Sequence, residues 1–441
     1  MGVFAYKNGE LACEDVLLRD IVERVGTPCY VYSAGHLTRQ FLAFDEAFSD
    51  LPHLICFAMK ANSNQAVLRL LGNLGGGIDV VSGGELYRAL EAGIPADRIV
   101  FAGVGKTVEE IIMAMKRGIL MFNVESSEEL DEINRVAESF ERKAPVALRV
   151  NPDVDPKTHP YISTGLKMSK FGIDINAAAD VYHRAADMPW IEVVGVHSHI
   201  GSQITTTGPF EDAAGKVADL AGRLREQGIE IRYVNLGGGL GITYREEAPP
   251  TPFDLAGSIV PLIRPTGCTL IFEPGRNLVG NGGVLLSEVL YTKQTAAKRF
   301  YVADAAMNDL IRPSLYESYH EIRPLSEAVN SRERSVADVV GPICESGDFL
   351  ARDRDLPAFE PGDLFAVMSA GAYGFVMASN YNARRRAAEV LVNGGEFSVV
   401  RRRETYQDLI RGETVPEFLL EAKSVDAGLK SGSSDGAGTR A

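Results

Sequence analysis

Residues 78–124 read IDVVSGGELYRALEAGIPADRIVFAGVGKTVEEIIMAMKRGILMFNV. This stretch contains three short apolar runs bounded by glycine, proline or polar residues, a pattern typical of buried strands. The two segments between them repeat their apolar residues with the period of a helix. The predicted strands are Ile78–Val81, Ile99–Ala102 and Met121–Val124, and the predicted helices are Gly84–Ala92 and Thr107–Arg117.

The same alternation continues on both sides of this stretch. Further strands are predicted at Leu54–Ala58, Val146–Val150, Val193–Ser198, Tyr233–Leu236 and Leu270–Phe272, and further helices at Ala66–Leu74 and Ser127–Glu141. Eight strands separated by helices predict an α/β fold, a (β/α)8 barrel of the TIM type. An open, doubly wound parallel sheet is the alternative, and the number of units favours the barrel.

A different pattern follows the eighth unit. Strand-like runs separated by turn signals such as Pro361-Gly362-Asp363 predict a second, mainly antiparallel β domain. These runs are Leu285–Thr292, Arg299–Ala303, Asp338–Gly341, Leu364–Met368, Ala388–Val392 and Ser398–Arg402. The segment Gly26–Ser33, GTPCYVYS, is also strand-like, and we expect it to pair with this second domain.

The predicted domain organisation has four parts. Residues 1–32 carry N-terminal strands that pack with the β domain, and residues 33–283 form the barrel. Residues 284–423 form the β domain itself. Residues 424–441 are rich in glycine and serine and are expected to be disordered.

Composition and charge argue against several classes of partner. The chain has 441 residues and a formal net charge of −14, which argues against nucleic acid. No apolar run is long enough to cross a bilayer, and the start MGVFAYKNGE does not resemble a signal peptide. We therefore expect a cytoplasmic protein without a membrane partner.

The five cysteines are scattered without a C-x-x-C pair, which predicts neither disulfides nor a cysteine zinc site. We see no ligand cluster that requires a metal.

Polar residues and glycines gather where the predicted barrel strands end, and in such barrels this rim carries the chemistry. Six of the eight strands contribute to the cluster. In strand order the residues are Lys60, Asp79, Asn151, His197 with His199, Gly237–Gly239 and Glu273–Arg276. The sequence therefore predicts an active site at this rim.

Two of these features together suggest a cofactor. The segment Gly237–Gly241, GGGLG, is either a tight turn or a phosphate-binding loop whose backbone N–H groups approach an anion closely. Lys60 is either a solvated lysine or, because it follows an apolar run, a lysine buried in the barrel mouth. Burial would lower its pKa and make it a nucleophile that forms imines. A phosphate site and such a lysine are what pyridoxal 5′-phosphate (PLP) requires.

Two further residues suit the same cofactor. Glu273 could hold a proton on the pyridine nitrogen, or alternatively form a salt bridge with Arg276. His199 could stack on the cofactor ring, whereas His197 is expected to be a hydrogen-bonded core residue.

Nine motifs, in order along the chain, resemble those of the fold-type III PLP-dependent decarboxylases. They cover nearly all of the chain from about residue 25 to residue 420. They are FAMKAN (Phe57–Asn62), DVVSGGEL (Asp79–Leu86), GLKMSKFGI (Gly165–Ile173), HSHIGSQ (His197–Gln203), NLGGGLG (Asn235–Gly241), EPGR (Glu273–Arg276), RPSLY (Arg312–Tyr316), GPICESGD (Gly341–Asp348) and AGAYGF (Ala370–Phe375).

This resemblance implies a cofactor site in the barrel. Lys60 would bond covalently to PLP, His199 would stack on its ring, and Glu273 would face the ring nitrogen. Asp79 and Ser202 would lie beside the cofactor. The phosphate would be held by backbone groups of Gly238, Gly239, Gly275 and Arg276 and by the hydroxyl of Tyr373.

The resemblance also implies a substrate site and a homodimer. The residues expected to bind the distal end of the substrate are Arg276, Arg312, Tyr316, Glu345 and Tyr373. Two arginines and a tyrosine suit a carboxylate, because guanidinium binds carboxylate in a forked geometry. A surface loop is the alternative for Arg312 and Tyr316. Cys344 would return a proton to the α-carbon, and Cys344 and Glu345 would reach the active site of the neighbouring subunit.

Within the family, the segment CESGD (Cys344–Asp348) is similar to members that act on diaminopimelate rather than ornithine. The implied reaction is decarboxylation of meso-2,6-diaminopimelate to L-lysine and CO₂, the last step of lysine biosynthesis. The alternatives are a related decarboxylase of ornithine, carboxynorspermidine or a D-amino acid, an amino-acid racemase, and a non-catalytic PLP carrier. One departure is that the family often has prolines where this chain has Arg385 and Ala387, which we expect to loosen that loop.

Overall fold

The computed structural model describes residues 2–155 and 170–420. The chain begins with a small three-stranded antiparallel sheet, a helix, and a strand that leads into the first long helix. These elements are β1 (Phe4–Lys7), β2 (Glu10–Cys13), β3 (Val16–Leu17), α1 (Leu18–Val25), β4 (Cys29–Ser33) and α2 (Ala34–Ala47).

The next elements alternate between strand and helix. The strands are β5 (His53–Ala58), β6 (Gly77–Val80), β7 (Ile99–Phe101), β8 (Met121–Val124), β9 (Ala144–Asn151), β10 (Ile173–Asp174), β11 (Ile191–His197), β12 (Tyr233–Asn235) and β13 (Thr269–Phe272). The helices are α3 (Gln65–Asn73), α4 (Gly83–Glu91), α5 (Val108–Arg117), α6 (Ser127–Glu138), α7 (Ile175–Asp187), α8 (Gly208–Glu226) and α9 (Pro252–Ile263). Short 3₁₀ turns cover Met59–Ala61, Ala96–Arg98 and Arg264–Thr266.

Eight of these strands close into a parallel barrel, which confirms the barrel and rules out the open sheet. The order is β5-β6-β7-β8-β9-β11-β12-β13, and β13 pairs with β5, Phe272 opposite Ile55. Each predicted strand lies within about two residues of the observed one, because its apolar run is buried on both faces. The short β10 adds a parallel pairing at the end of β9.

Local sequence also sets the helix ends. In α5 the side chain of Thr107 accepts from the N–H of Glu110, while the carboxylate of Glu110 accepts from the N–H of Thr107. This capping box satisfies two N–H groups that the first turn leaves without partners. The helix ends at Gly118, which adopts the left-handed conformation with φ of 67°.

The second domain is a mixed sheet built mostly from antiparallel pairs, as predicted. Its strands are β14 (Gly283–Gln294), β15 (Arg299–Ala303), β16 (Ile322–Pro324), β17 (Arg334–Val340), β18 (Phe349–Pro357), β19 (Leu364–Val367), β20 (Ala388–Asn393) and β21 (Glu396–Arg401). Short helices are α10 (Arg276–Val279), α11 (Arg312–Tyr316), α12 (Glu327–Asn330), α13 (Tyr406–Leu409) and α14 (Glu417–Leu420), with 3₁₀ turns at Phe375–Met377 and Tyr381–Ala383. The main order is β18-β17-β15-β14-β4-β20-β21, and β19 pairs with β14 and β16. The pairs β15–β17 and β4–β20 are parallel.

The N-terminal strand β4 lies at the centre of this sheet. It pairs antiparallel with β14 and parallel with β20, which confirms that the segment pairs with the second domain. All five of its residues, CYVYS, are buried. The hydroxyl of Tyr30 donates to the carbonyl of Asp309 at 2.6 Å, and that of Tyr32 donates to Glu389 at 2.8 Å.

Several smaller expectations can be compared with the described residues. All five cysteines are free thiols in this structure. The segment that lacks the family's prolines is held by side chains, since Arg386 forms a salt bridge with Glu404 and Arg384 donates to Asn308 at 3.2 Å. Looser motion of this loop stays a prediction, as do the domain boundaries.

The expected disordered tail and most of the GLKMSKFGI motif lie outside the described residues. In residues 2–155 and 170–420, no helix combines the length and apolar character needed to span a membrane.

Candidate active site

Lys60 and Asp79 meet at the mouth of the barrel. Asp79 lies opposite Ala58 in the pairing of β5 with β6, so the turn after β5 brings Lys60 above it. Lys60 Nζ donates to Asp79 Oδ2 at 2.9 Å. The Lys60 side chain is 38% exposed, because it faces the open barrel mouth, whereas Asp79 is fully buried.

The expected low pKa of Lys60 is wrong in this structure. Burial does lower the pKa of Lys60, but the charge of Asp79 and the hydrogen bond with it outweigh burial, so the pKa is raised above its usual value. Because a lysine paired with a carboxylate keeps its proton, Lys60 is an ammonium held in place rather than a free amine. The sequence showed the burial but not the partner.

Glu273 directly follows β13 at the same rim of the barrel and is buried. Its Oε1 accepts hydrogen bonds from the side-chain amides of Asn123 at 3.0 Å and Asn235 at 2.6 Å. Its Oε2 lies 3.4 Å from Nε2 of the buried His197. The alternative of a salt bridge between Glu273 and Arg276 is therefore wrong. His197 is in the core, as expected, but it also contacts the carboxylate of Glu273.

Asp79 and Glu273 have pKa values displaced in opposite directions. Burial, together with the charge of Glu273, raises the pKa of Asp79 to about 7 despite the opposing effect of Lys60. Burial also tends to raise the pKa of Glu273, but His197, Lys60 and Asn235 outweigh it, so the pKa is lowered. Two carboxyl groups in one pocket thus take different roles: Glu273 stays ionised, and Asp79 can exchange a proton near neutral pH.

The glycine-rich segment packs against His199. Gly238 donates its N–H to Nδ1 of His199 at 3.1 Å, so the neutral ring carries its proton on Nε2. Burial, with the charges of Arg149 and Lys60, lowers the pKa of His199 well below its usual value. A neutral, fixed imidazole plane suits stacking on an aromatic ring. In this structure the N–H of Gly238 is used by His199, which differs from its expected role at the phosphate.

The glycines themselves are required by close backbone contacts. A Cβ on Gly238 would lie 2.2 Å from the carbonyl oxygen of Glu273, and one on Gly239 would lie 2.6 Å from that of Gly201. Gly239 also has a φ of +123°, which side-chain-bearing residues rarely adopt. The loop can therefore bring backbone groups close to the cavity, as a phosphate site needs.

Arg276 and Arg312 meet at a third residue, Tyr244, which the sequence reasoning missed. Nη1 of each guanidinium donates to the Tyr244 hydroxyl, from Arg312 at 2.7 Å. Arg276 also donates to Ser202 Oγ at 3.2 Å. Arg312 is buried, so the surface-loop alternative for it is wrong. Tyr316 ends α11, the same short helix that begins with Arg312.

Tyr373 links the β domain to the barrel mouth. It has a φ of +55°, and its N–H donates to the carbonyl of Ala61, next to Lys60, at 2.8 Å. Its ring centroid lies 4.9 Å from Cζ of Arg276. Tyr373 is therefore placed between Lys60 and the two arginines.

Cys344 and Glu345 are the predicted site residues that the single chain does not bring to the barrel mouth. Both are exposed, on the connection between β17 and β18. The N–H of Cys344 donates to Asn382 Oδ1 at 2.8 Å, and Glu345 accepts from the N–H of Gly347 at 3.4 Å. Their contacts in the described residues are with their own surroundings, not with Lys60 or Glu273.

The described residues fit PLP. Lys60 could supply an amino group for the aldehyde, Glu273 a carboxylate for the ring nitrogen, and His199 a flat neutral ring to stack on the cofactor. Several buried atoms at the site have no hydrogen-bond partner within the described chain, among them Asp79 Oδ1 and Arg276 Nε, so polar capacity is left for a bound molecule. Backbone packed against Gly238 and Gly239 leaves no room for a Cβ at either position, so the loop requires glycine there.

Comparison with known proteins agrees with this arrangement. The family model described as the pyridoxal-dependent decarboxylase, pyridoxal binding domain, matches residues 34–280. The chain is 54% identical over 417 residues to the diaminopimelate decarboxylase of Pseudomonas aeruginosa, covering 94% of this chain and 99% of that one. It is 50% identical over 406 residues to that of Aquifex aeolicus, covering 92% and 96%.

Solved structures show the same similarity. The diaminopimelate decarboxylase of Helicobacter pylori, complexed with L-lysine, superposes with a TM-score of 0.86 at 44% identity, covering 89% of this chain and 98% of that one. The corresponding enzyme of M. jannaschii has a TM-score of 0.90 at 43% identity, covering 95% and 99%.

Proposed function

The chain belongs to the pyridoxal-dependent decarboxylases, and from this premise we propose that it converts meso-2,6-diaminopimelate into L-lysine and CO₂ with PLP as cofactor. The choice of substrate is supported by one observation: the guanidinium groups of Arg276 and Arg312 are both buried and share a hydrogen-bond partner. Ornithine and arginine have no second carboxylate for such a pair, whereas diaminopimelate has one. The relatives named as diaminopimelate decarboxylases support the same substrate.

Lys60 and Asp79 prepare the amino group that holds the cofactor. The Lys60 ammonium must lose a proton before its nitrogen can bond to an aldehyde carbon. Asp79 Oδ2 lies 2.9 Å from Nζ and is the carboxylate placed to receive that proton. The same carboxyl group keeps the amino group aimed into the barrel when substrate arrives.

When bound, PLP supplies a protonated aromatic ring that accepts the electron pair released when the carboxyl group leaves. Glu273 stays ionised and would hold a proton on the ring nitrogen. Asn123 and Asn235 fix the direction of its carboxylate. His199 would stack on one face of the ring and exclude water from it.

The substrate's distal end is held away from the reacting carbon. Arg276, Arg312 and Tyr316 bind the distal carboxylate, with Tyr373 beside them, and this grip fixes the orientation of the α-carboxylate. After CO₂ leaves, the α-carbon needs a proton. We assign that proton to the thiol of the partner subunit's Cys344 and the contact with the distal amino group to the partner subunit's Glu345. Their exposed position in the single chain supports this assignment.

An assay of CO₂ release tests the function. Purified PLP-loaded protein should release CO₂ from meso-diaminopimelate, with lysine appearing in equal amount, and not from ornithine, arginine or lysine. Release from ornithine or carboxynorspermidine instead would favour a related decarboxylase. Interconversion of stereoisomers without CO₂ would favour a racemase, and no reaction with bound PLP would favour a carrier.

A mixing experiment tests the shared active site. Lys60→Ala and Cys344→Ala homodimers should each be nearly inactive. Mixed by co-expression in equal amounts, they should recover about one quarter of wild-type activity, because half of the dimers are mixed and each holds one intact site. Co-expression of two differently tagged Lys60→Ala chains is the control and should recover none.

Absence of recovery in correctly mixed dimers would place Cys344 in the site of its own chain or outside catalysis. A monomer in sedimentation measurements would remove the dimer from the proposal. Location in the cytoplasm stays a prediction.

A further inference from the structure

The hydroxyl group of Tyr244 joins the two arginines at the distal end of the site. It accepts from Nη1 of Arg276 and, at 2.7 Å, from Nη1 of Arg312. The Tyr244 ring centroid lies 5.7 Å from Cζ of Arg276 and 4.9 Å from Cζ of Arg312. One phenol therefore sets the spacing between two guanidinium groups.

These two cations are buried beside neutral groups. Arg276 is 6% exposed and Arg312 is 5% exposed. Their side-chain hydrogen-bond partners in the described part of the chain are Tyr244, Ser202, Ser318 and His320. His320 is neutral, because burial and the charge of Arg312 lower its pKa to about 3. Buried charges without counter-charges are costly, so this corner of the site is built for an anion.

The hydrogen bonds around Tyr244 leave donors free. Both lone pairs of the phenol oxygen are used by the arginines, so its own proton must point away from them. That proton has no acceptor within residues 2–155 and 170–420. Nε of Arg276 is likewise buried without a partner in the described chain. Two donors at this corner of the site, the Tyr244 hydroxyl and Arg276 Nε, therefore have no acceptor within the described chain.

The backbone around Tyr244 is fixed by its own loop. The N–H of Tyr244 donates to Glu247 Oε2 at 2.9 Å, and Thr243 Oγ1 donates to the carbonyl of Glu247 at 2.7 Å. The ring also meets His320 edge-on, with centroids 5.4 Å apart. A tyrosine fixed in this way can hold the two arginines in position before a ligand binds.

We propose that Tyr244 determines specificity for the distal carboxylate: its hydroxyl bridges Arg276 and Arg312 and donates its own proton to that carboxylate. This rests on the proposed function and adds a residue to it. A substrate without the second carboxylate would leave two buried guanidinium groups and a phenol proton unpaired. Sites built to bind a polar group strongly reject analogues that lack it.

The test compares two ligands that differ in one group. L-lysine carries the distal carboxylate, whereas cadaverine (1,5-diaminopentane) has the same chain without it. In a PLP-loaded Tyr244→Phe protein, calorimetric affinity for lysine should fall about 10- to 100-fold, the effect of losing a hydrogen bond to a charged group. Affinity for cadaverine should be unchanged. KM for diaminopimelate should rise by a similar factor while kcat changes less than about threefold.

The outcomes separate this proposal from the function on which it rests. Tyr291→Phe, at an exposed tyrosine on β14, is the matched control and should bind lysine like the wild type. Unchanged lysine affinity in Tyr244→Phe, or equal losses for lysine and cadaverine, would overturn the role of Tyr244. A wild-type protein that does not decarboxylate diaminopimelate would overturn the function itself, whatever the variant does.

Discussion

Replacing Lys60 with alanine should abolish turnover, by at least about 1,000-fold, because the covalent attachment of the cofactor is lost. The visible absorbance of covalently bound PLP should disappear at the same time. The side chain is partly exposed and its removal opens no core cavity, so the fold should be retained. Spectra, thermal unfolding and CO₂ release on the same preparation measure all three quantities.

Lys7→Ala is the matched control. Lys7 also pairs with an aspartate, Asp15, but on the surface and far along the chain from the barrel. The Lys7→Ala protein should retain both the absorbance of bound PLP and the rate of turnover. A Lys60→Ala protein with normal turnover would rule out Lys60 as the attachment point and, with it, the whole assignment of the barrel mouth.

Replacing Glu273 with glutamine should lower kcat by about 100-fold or more, because a neutral amide cannot hold a positive charge on the cofactor ring. Glutamine keeps the volume and an oxygen that can accept from Asn123 and Asn235. The cofactor should therefore still bind through Lys60, and its absorbance should be retained with a changed spectrum. Single-turnover kinetics with diaminopimelate would separate the chemical step from binding.

Glu192→Gln provides the comparison, since Glu192 is an exposed acid paired with Arg232 at the start of β11. It should have wild-type kcat. If Glu273→Gln kept kcat within about threefold of the wild type, the ring nitrogen would not depend on this carboxylate. Loss of bound cofactor would instead assign Glu273 a role in binding rather than in charge stabilisation.

The barrel was predictable because its strands are buried on both faces and so appear as continuous apolar runs. β18 was not, because its sequence FLARDRDLP is charged and it lies at the edge of the sheet, where half its surface faces water. β16 was missed because its three residues, IRP, include an arginine and a proline and form no apolar run. Edge and short strands depend on pairing with neighbours that a local pattern does not reveal.

Much of the site's framework was predictable too, because the ends of parallel strands meet at one rim. What sequence could not show was which groups face each other. The pKa of Lys60 was expected to be low, but it is raised because Asp79 pairs with it. Asn123 and Asn235 were visible only as single amides within apolar strands, MFNV and YVN. Tyr244, three residues beyond the glycine-rich loop, gave no signal until Arg276 and Arg312 were seen to share it.

The central position of β4 has a consequence for synthesis of the chain. β4 leaves the ribosome before any barrel strand, but its partners β14 and β20 follow the entire barrel. Until they emerge, a strand that is wholly buried in the finished sheet has no partner, and such strands fold slowly and are prone to aggregate. Completion of this sheet therefore waits for the last part of translation. A cut anywhere within the barrel would separate two parts of a single sheet, so the β domain cannot be produced from the C-terminal half alone.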